Sequence, residues 1–209
     1  MTKTMTTSDD ILRFWFPPGL DADEETHRRQ LEWWFRGGAD QAIVQSFTDV
    51  LEAAAAGQLD HWAEQPRSRL ALIIVLDQFS RSVYRDTARA YAQDAKALAL
   101  SLEGMDNGHF AQIPTAWERM FFLLPLAHSE SLVLHDRLVA LCEARLPEVP
   151  EQLRGIYAFS VSQARGHRDV IARFGRHPHR NDVLGRISSE EERTYIAKGE
   201  FVHQRKIEA

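Results

Sequence analysis

The sequence predicts an all-α fold, and three observations carry that prediction. Apolar residues recur with a helical period, as in "ADQAIVQSFTDVLEAAAAG", where Ile43, Phe47, Val50, Leu51 and Ala54 share one face. Serine, threonine, aspartate and glycine stand where helices start and stop. No stretch keeps the alternation of a half-buried strand. The result is about nine antiparallel helices of roughly 10–20 residues with short connections, in one compact tetratricopeptide-like array. The tetratricopeptide repeat consensus itself does not recur at its period of about 34.

In chain order, Ser8 with Asp9 and Asp10 opens the first helix, and Pro17, Pro18 and Gly19 close it after "ILRFWF". The second runs from Asp23 to Arg36 and stops at Gly37 and Gly38. The third is the stretch quoted above, ending at Gly57. A fourth begins near Pro66 and carries "RLALIIVLDQFSRSVYR"; being apolar around its whole circumference, it belongs in the middle of the fold. The fifth spans Thr87 to Gly104, and "MDNGHF" is a loop. Pro114 fits the first turn of the sixth, "PTAWERMFFLLPLA", which Pro125 breaks. Ser129 caps the seventh, "ESLVLHDRLVALCEARL", and the eighth runs from Glu151 to Phe174 and Gly175. Ser188 or Ser189, each with a glutamate three places on, opens the ninth as a capping box. Residues 8–203 read as a single domain, with 1–7 and 204–209 as disordered ends.

The formal net charge is −5 and the pI about 6.0, which argues against nucleic acid as a partner because phosphate attraction needs a basic face. No apolar run reaches the roughly 18 residues of a membrane span. The first residues lack the features of a signal peptide, so a cytoplasmic location is expected. Cys142 is the one cysteine and sits among helix-packing neighbours, which makes it structural. Of 25 basic residues, 21 are arginine, the side chain whose planar fork suits carboxylates and phosphates. They are unevenly spread: Arg165 to Arg186 holds six arginines and three histidines against two acids.

Three groups of residues suggest chemistry. Asp77 and Arg81, four apart on an apolar helix, are placed to pair, and Arg85 extends the row. In "WERMFFLLPLAHSES", Glu118 and Arg119 interrupt an apolar helix, while His128, Ser129 and Glu130 stand where a helix N-terminus offers amides to an anion. The third group is "ARGHRDVIARFGRHPHRNDVLGR", whose cations alternate with Pro178, Leu184 and glycines like a segment folded onto something. Six arginines close together repel unless acids or a bound anion compensate, so the three groups are expected to meet. His177 and His179 form an H-x-H pair without further ligands at a recognised spacing, and no metal or cofactor is expected. No GxSxG, HExxH or P-loop pattern occurs.

"LRFWF", "DQFSRSVYR", the "P-x-x-HSE" of the sixth and seventh helices, and "H-x-x-x-I-x-x-FGR-x-PHRN-x-x-LGR-x-S-x-EE" together resemble the bacterial family catalogued as domain of unknown function 924, over residues 9 to 200. The resemblance implies an all-helical, tetratricopeptide-like fold and brings no reaction with it. It places the recurring polar positions at Asp77, Gln78, Arg81, His128, Ser129, Glu130, His167, Arg176, His179, Arg180 and Asn181. His177 stands where the resemblance implies an aromatic residue.

The residues therefore predict a pocket for a small anionic ligand, a carboxylate or a phosphate, lined by Arg81, His128, Glu130, His167, Arg176, His179, Arg180 and Asn181. If the ligand is turned over, hydrolysis or group transfer fits best. His167 or His179 then carries the proton, oriented by Asp77 or Glu130, and an arginine stabilises negative charge. The alternative is a non-enzymatic groove gripping an acidic peptide. A third reading makes the polar clusters clamps at helix corners. The oligomeric state is left open.

Overall fold

The computed structural model describes residues 6–199 and 201–202, and among these it is all-α, without a strand. The ends expected to be disordered fall largely on residues 1–5 and 203–209, outside the described residues. The chain groups into two compact units, Met1–Arg85 with Arg89–Pro125 and Asp86–Ala88 with Leu126–Ala209.

In the first unit, α1 (Ser8–Trp15) is capped by Thr7, one residue before the expected Ser8. The Thr7 hydroxyl takes the Asp10 N–H at 3.2 Å and the Asp10 carboxylate takes the Thr7 N–H at 2.9 Å, a reciprocal box only Thr7 can close. In α2 (Glu24–Phe35), His27, Leu31 and Trp34 form the buried stripe. The Trp34 indole N–H donates to the Trp15 carbonyl at 2.9 Å. Trp15, Trp34, Phe79 and Phe121 then pack with ring centroids 4.7–6.3 Å apart.

The third expected helix divides into α3 (Asp40–Ser46) and α4 (Thr48–Ala55). At the joint, Thr48 Oγ1 donates to the Val44 carbonyl at 2.8 Å, a local bond that competes with the helix ladder. Phe47, in the break, packs on Phe14 and Phe79. The apolar fourth helix is central to this unit, as predicted: every residue from Arg69 to Ser80 is buried. It runs as α5 (Pro66–Ile74), a π-helical turn (Val75–Phe79) and α6 (Ser80–Val83). The fifth starts late, as α7 (Asp94–Asp106), after a 3-10 turn at Ala88–Tyr91. Pro125 does not break α8 (Ala116–His128). The missing Pro125 N–H removes the ladder bond to the Phe121 carbonyl, and the next carbonyl, Phe122, accepts from Ser101 Oγ of α7 at 2.6 Å.

In the second unit, α9 (Leu132–Arg145) and α10 (Arg154–Phe174) pack side by side and antiparallel. Arg165 pairs with Glu143 and Arg168 with Asp136 across the pair. Ile156, Tyr157, Val161, Ala164 and Ile171 form the buried face of α10. Ser129 is not the cap of α9, which begins three residues later behind Ser131; its hydroxyl donates instead to the Leu126 carbonyl. Helix α11 (Glu190–Lys198) opens with the expected capping box, Ser189 with Glu192. Among the described residues no helix is long and apolar enough to cross a membrane.

Candidate functional site

The cationic segment is folded, and local chemistry explains how. Helix α10 ends at Gly175, whose φ of +68° lies in the left-handed region where a side chain is strained. Pro178 then starts a 3-10 turn, Pro178–Arg180. Backbone bonds from Arg180 to His177, Leu184 to Arg180 and Arg186 to Asn181 hold the next turns at 2.7–3.1 Å. His177, Pro178, Arg180 and Asn181 are buried.

Two carboxylates anchor this segment. Glu130 accepts from the His177 backbone N–H at 2.8 Å and from Arg186 Nη1 at 3.0 and 2.8 Å. Arg186 Nη2 also donates to the His177 carbonyl at 2.9 Å. Glu192 accepts from Arg176 Nε and Nη2 at 2.6 and 2.7 Å, a bidentate fork. Those bonds, with the Ser189 N–H, bring the Glu192 carboxyl down to about 2 and hold the Arg176 guanidinium above its usual value. Arg180 Nη1 donates to the His128 carbonyl at 2.9 Å, and Asn181 Nδ2 to Ser188 Oγ at 3.0 Å.

Three imidazoles gather around a fourth, the His177 ring. The centroid of His177 lies 5.5 Å from His179, 5.9 Å from His135 and 6.0 Å from His167. His135 and His177 are 0 % and 1 % exposed. Both present Nε2 to the Ser129 carbonyl, at 3.0 and 3.2 Å. A carbonyl only accepts, so each Nε2 carries the hydrogen and each Nδ1 is a bare lone pair in the neutral ring. Among the described residues neither Nδ1 has a hydrogen-bond partner. Burial pushes both rings below the ordinary histidine range, and the charges of Arg180 and the neighbouring imidazoles add to the effect at His177.

Of the residues singled out in the sequence, Glu130, His128, His167, Arg176, His179, Arg180 and Asn181 all fall in the second unit, as do Ser129 and His177. Asp77 and Arg81 belong to the first. They pair as expected, Arg81 Nη1 lying 3.4 Å from Asp77 Oδ1 and donating to the Asp77 carbonyl, and Asp94 joins them at 3.0 Å. Burial opposes the charge on Arg81, but the two carboxylates outweigh it and hold its pKa above the usual value. Glu118 bonds Arg67 at 2.7 Å, and Arg85 pairs with Asp40. His135 is a member that the sequence did not mark, and Arg186 and Glu192, marked only as part of the arginine run and as a capping partner, carry ion pairs of the site. His135 lies inside a periodic helix, and Glu192 reads as an ordinary capping residue.

On the flank of α9 and α10 an open groove is lined by Asp136, Glu143, Arg165, Arg168 and Asp169 with Val139 and Ala140. Its arginines are already paired across the two helices. Among the described residues no set of three or more His, Cys, Asp or Glu side chains is arranged to hold a metal ion. Cys142 is half-buried, its thiol pushed up to about 11 by burial and by Glu143, which suits a structural role.

Residues 11–200 match the family model described as bacterial protein of unknown function (DUF924). A solved structure of a protein of unknown function from Agrobacterium tumefaciens, ATU0120, is similar with a TM-score of 0.72 and 35% sequence identity. That match covers 92% of this chain and 97% of the other. No curated protein matches.

Proposed function

Since the chain belongs to the bacterial DUF924 family, whose description leaves the function unknown, we propose a function from the geometry of the second unit: it binds a small anionic ligand, a carboxylate or a phosphate, at the His/Arg cluster. The observation that supports this most is the pair of buried, acceptor-only Nδ1 atoms of His135 and His177 beside the Arg180 guanidinium. Such a site asks for a ligand with two faces. Its negative oxygens are attracted by the guanidinium charge, and a hydroxyl, amino or protonated phosphate group donates to the imidazole lone pair. A hydroxy or amino acid, or a phosphate monoester, has both.

In this reading Arg176, Arg186 and Asn181 build the frame, because Glu192, Glu130 and Ser188 already engage them. His177 positions the ligand, since a ring so far below the ordinary histidine range is a poor proton acceptor at neutral pH. If the ligand is hydrolysed or transferred, His167 or His179 carries the proton. Asp77, which is buried, pairs with the half-buried Arg81 in the first unit. A second reading, clamps at helix corners without a ligand, draws on the chelation of Glu130 and Glu192 by the segment's own arginines. The peptide-binding alternative has the weaker support, because the open groove on α9 and α10 is lined by mutually paired charges.

A thermal-shift panel at pH 7.5 separates these readings. Simple carboxylates are compared with hydroxy acids, amino acids and phosphate monoesters. A specific ligand at 100 times its Kd adds about 2.7 kcal/mol of stability. Binding predicts that donor-bearing anions raise the wild-type Tm and that His177→Phe and Arg180→Lys abolish the shift. The clamp reading predicts lower Tm values for the variants and no anion-specific shift in any of them. Product analysis of the anions that bind decides for or against turnover.

A further inference from the structure

We infer that His135 and His177 form a proton-operated latch, which holds the 176–186 segment on the turn after α8 at neutral pH and releases it on acidification. The inference concerns the protein without ligand and goes beyond the anion-binding reading. The segment is tied to residues 128–130 by three kinds of bond: Arg180 to the His128 carbonyl, the His177 ring to the Ser129 carbonyl, and the His177 N–H with Arg186 to the Glu130 carboxylate. His135, from α9, shares the Ser129 carbonyl with His177. Both rings thus meet at one acceptor, and each must keep its hydrogen on Nε2 to do so.

A second proton can enter only at Nδ1. There it would create a buried N–H and a positive charge with no hydrogen-bond partner for that N–H among the described residues, a combination strongly disfavoured in a dehydrated site. The surroundings make this worse. His128 faces the rings from the end of α8, His167 from α10, and His179 and Arg180 from the segment itself. The acids in reach are engaged: Glu130 by Arg186, Glu192 of α11 by Arg176, and Asp136 of α9 by Arg168. Asp182 lies exposed at the outer turn. The closed form therefore excludes the second proton. Lifting the segment hydrates the rings, which then take up protons at about 6.5. By linkage, lowering the pH from 7.5 to 5.0 raises the ratio of open to closed forms roughly 30-fold for a ring that stays neutral in the closed form and protonates on opening.

The test is hydrogen exchange of the Arg180, Leu184 and Arg186 amides, whose bonds exist only in the folded segment. Rates are measured without added carboxylate or phosphate at pH 7.5, 6.5 and 5.0 and corrected for intrinsic exchange. Wild type should lose at least 30-fold in protection by pH 5.0. In His135→Gln and His177→Gln the side-chain amide keeps a donor for Ser129 but does not titrate. Each should show a smaller loss, and the double variant a nearly flat profile. Undiminished protection in wild type, or an equal loss in the double variant, overturns the latch. Should the variants fail to fold, ring ¹⁵N shifts of wild type decide. Nδ1 protonation must coincide with loss of amide protection, and rings that protonate beneath protected amides overturn the inference. A flat profile removes the latch but leaves the anion panel's result intact.

Discussion

Glu192 illustrates how much one side chain does at the start of α11. It closes the capping box with Ser189, accepts the Arg176 fork and is only 3 % exposed. Removing Arg176 leaves a buried carboxylate without that fork, so Arg176→Ala should destabilise the second unit, read as a lower midpoint in denaturant titration. Because the Glu192 pKa is lowered to about 2, its contribution is complete above the ordinary carboxylate range and disappears as the pH falls toward 2. Glu192→Gln should flatten that acid limb. The histidines act in a different window. Rings held below their ordinary value stabilise the fold above about pH 6.5 and withdraw that support as the pH falls. The sequence pointed to most of these groups. It could not show that His177 is buried and neutral, because dehydration is set by neighbours from α9, α10 and the turn after α8.

At the scale of elements, caps were legible to within a residue or a turn, since capping bonds span three residues. Gly175 and the Ser189 box lie where the sequence put them. Ser189→Ala should cost about 1 kcal/mol by the loss of its cap. Gly175→Ala should cost roughly 1–2 kcal/mol for backbone conformation alone, since no atom obstructs an added Cβ. Gly104→Ala has a different cause. Its Cβ would lie 2.5 Å from the Phe122 ring and 2.8 Å from Arg69 Cδ, so overpacking should lower stability by about 1–3 kcal/mol. Thermal unfolding of the three variants checks all these figures. The break at Phe47, the π turn at Val75–Phe79 and the continuity of α8 through Pro125 were not legible. The break places Phe47 against Phe14 and Phe79, partners distant in the chain that a local pattern does not register.

For the whole molecule, the all-α class follows from periodicity repeated along the chain, and the similar solved structure agrees with it. The abundance of arginine is a weaker guide. Many of the arginine pairs are exposed, among them Arg165 with Glu143 and Arg173 with Glu191. Raising the salt to about 0.5 M should therefore change global stability by less than about 1 kcal/mol, read from denaturant midpoints, because exposed pairs are weak and screened. By itself the sequence determined the all-α class, most of the helical stretches and some of their caps, such as Gly175 and the Ser189 box, and it marked the cationic segment as one in need of acidic partners. Those are short-range patterns, or charge excesses that must find a counterpart. Only the tertiary structure decided which acids neutralise which arginines and which imidazoles lose water, because those choices join residues 47 and 56 positions apart and depend on what is buried between them.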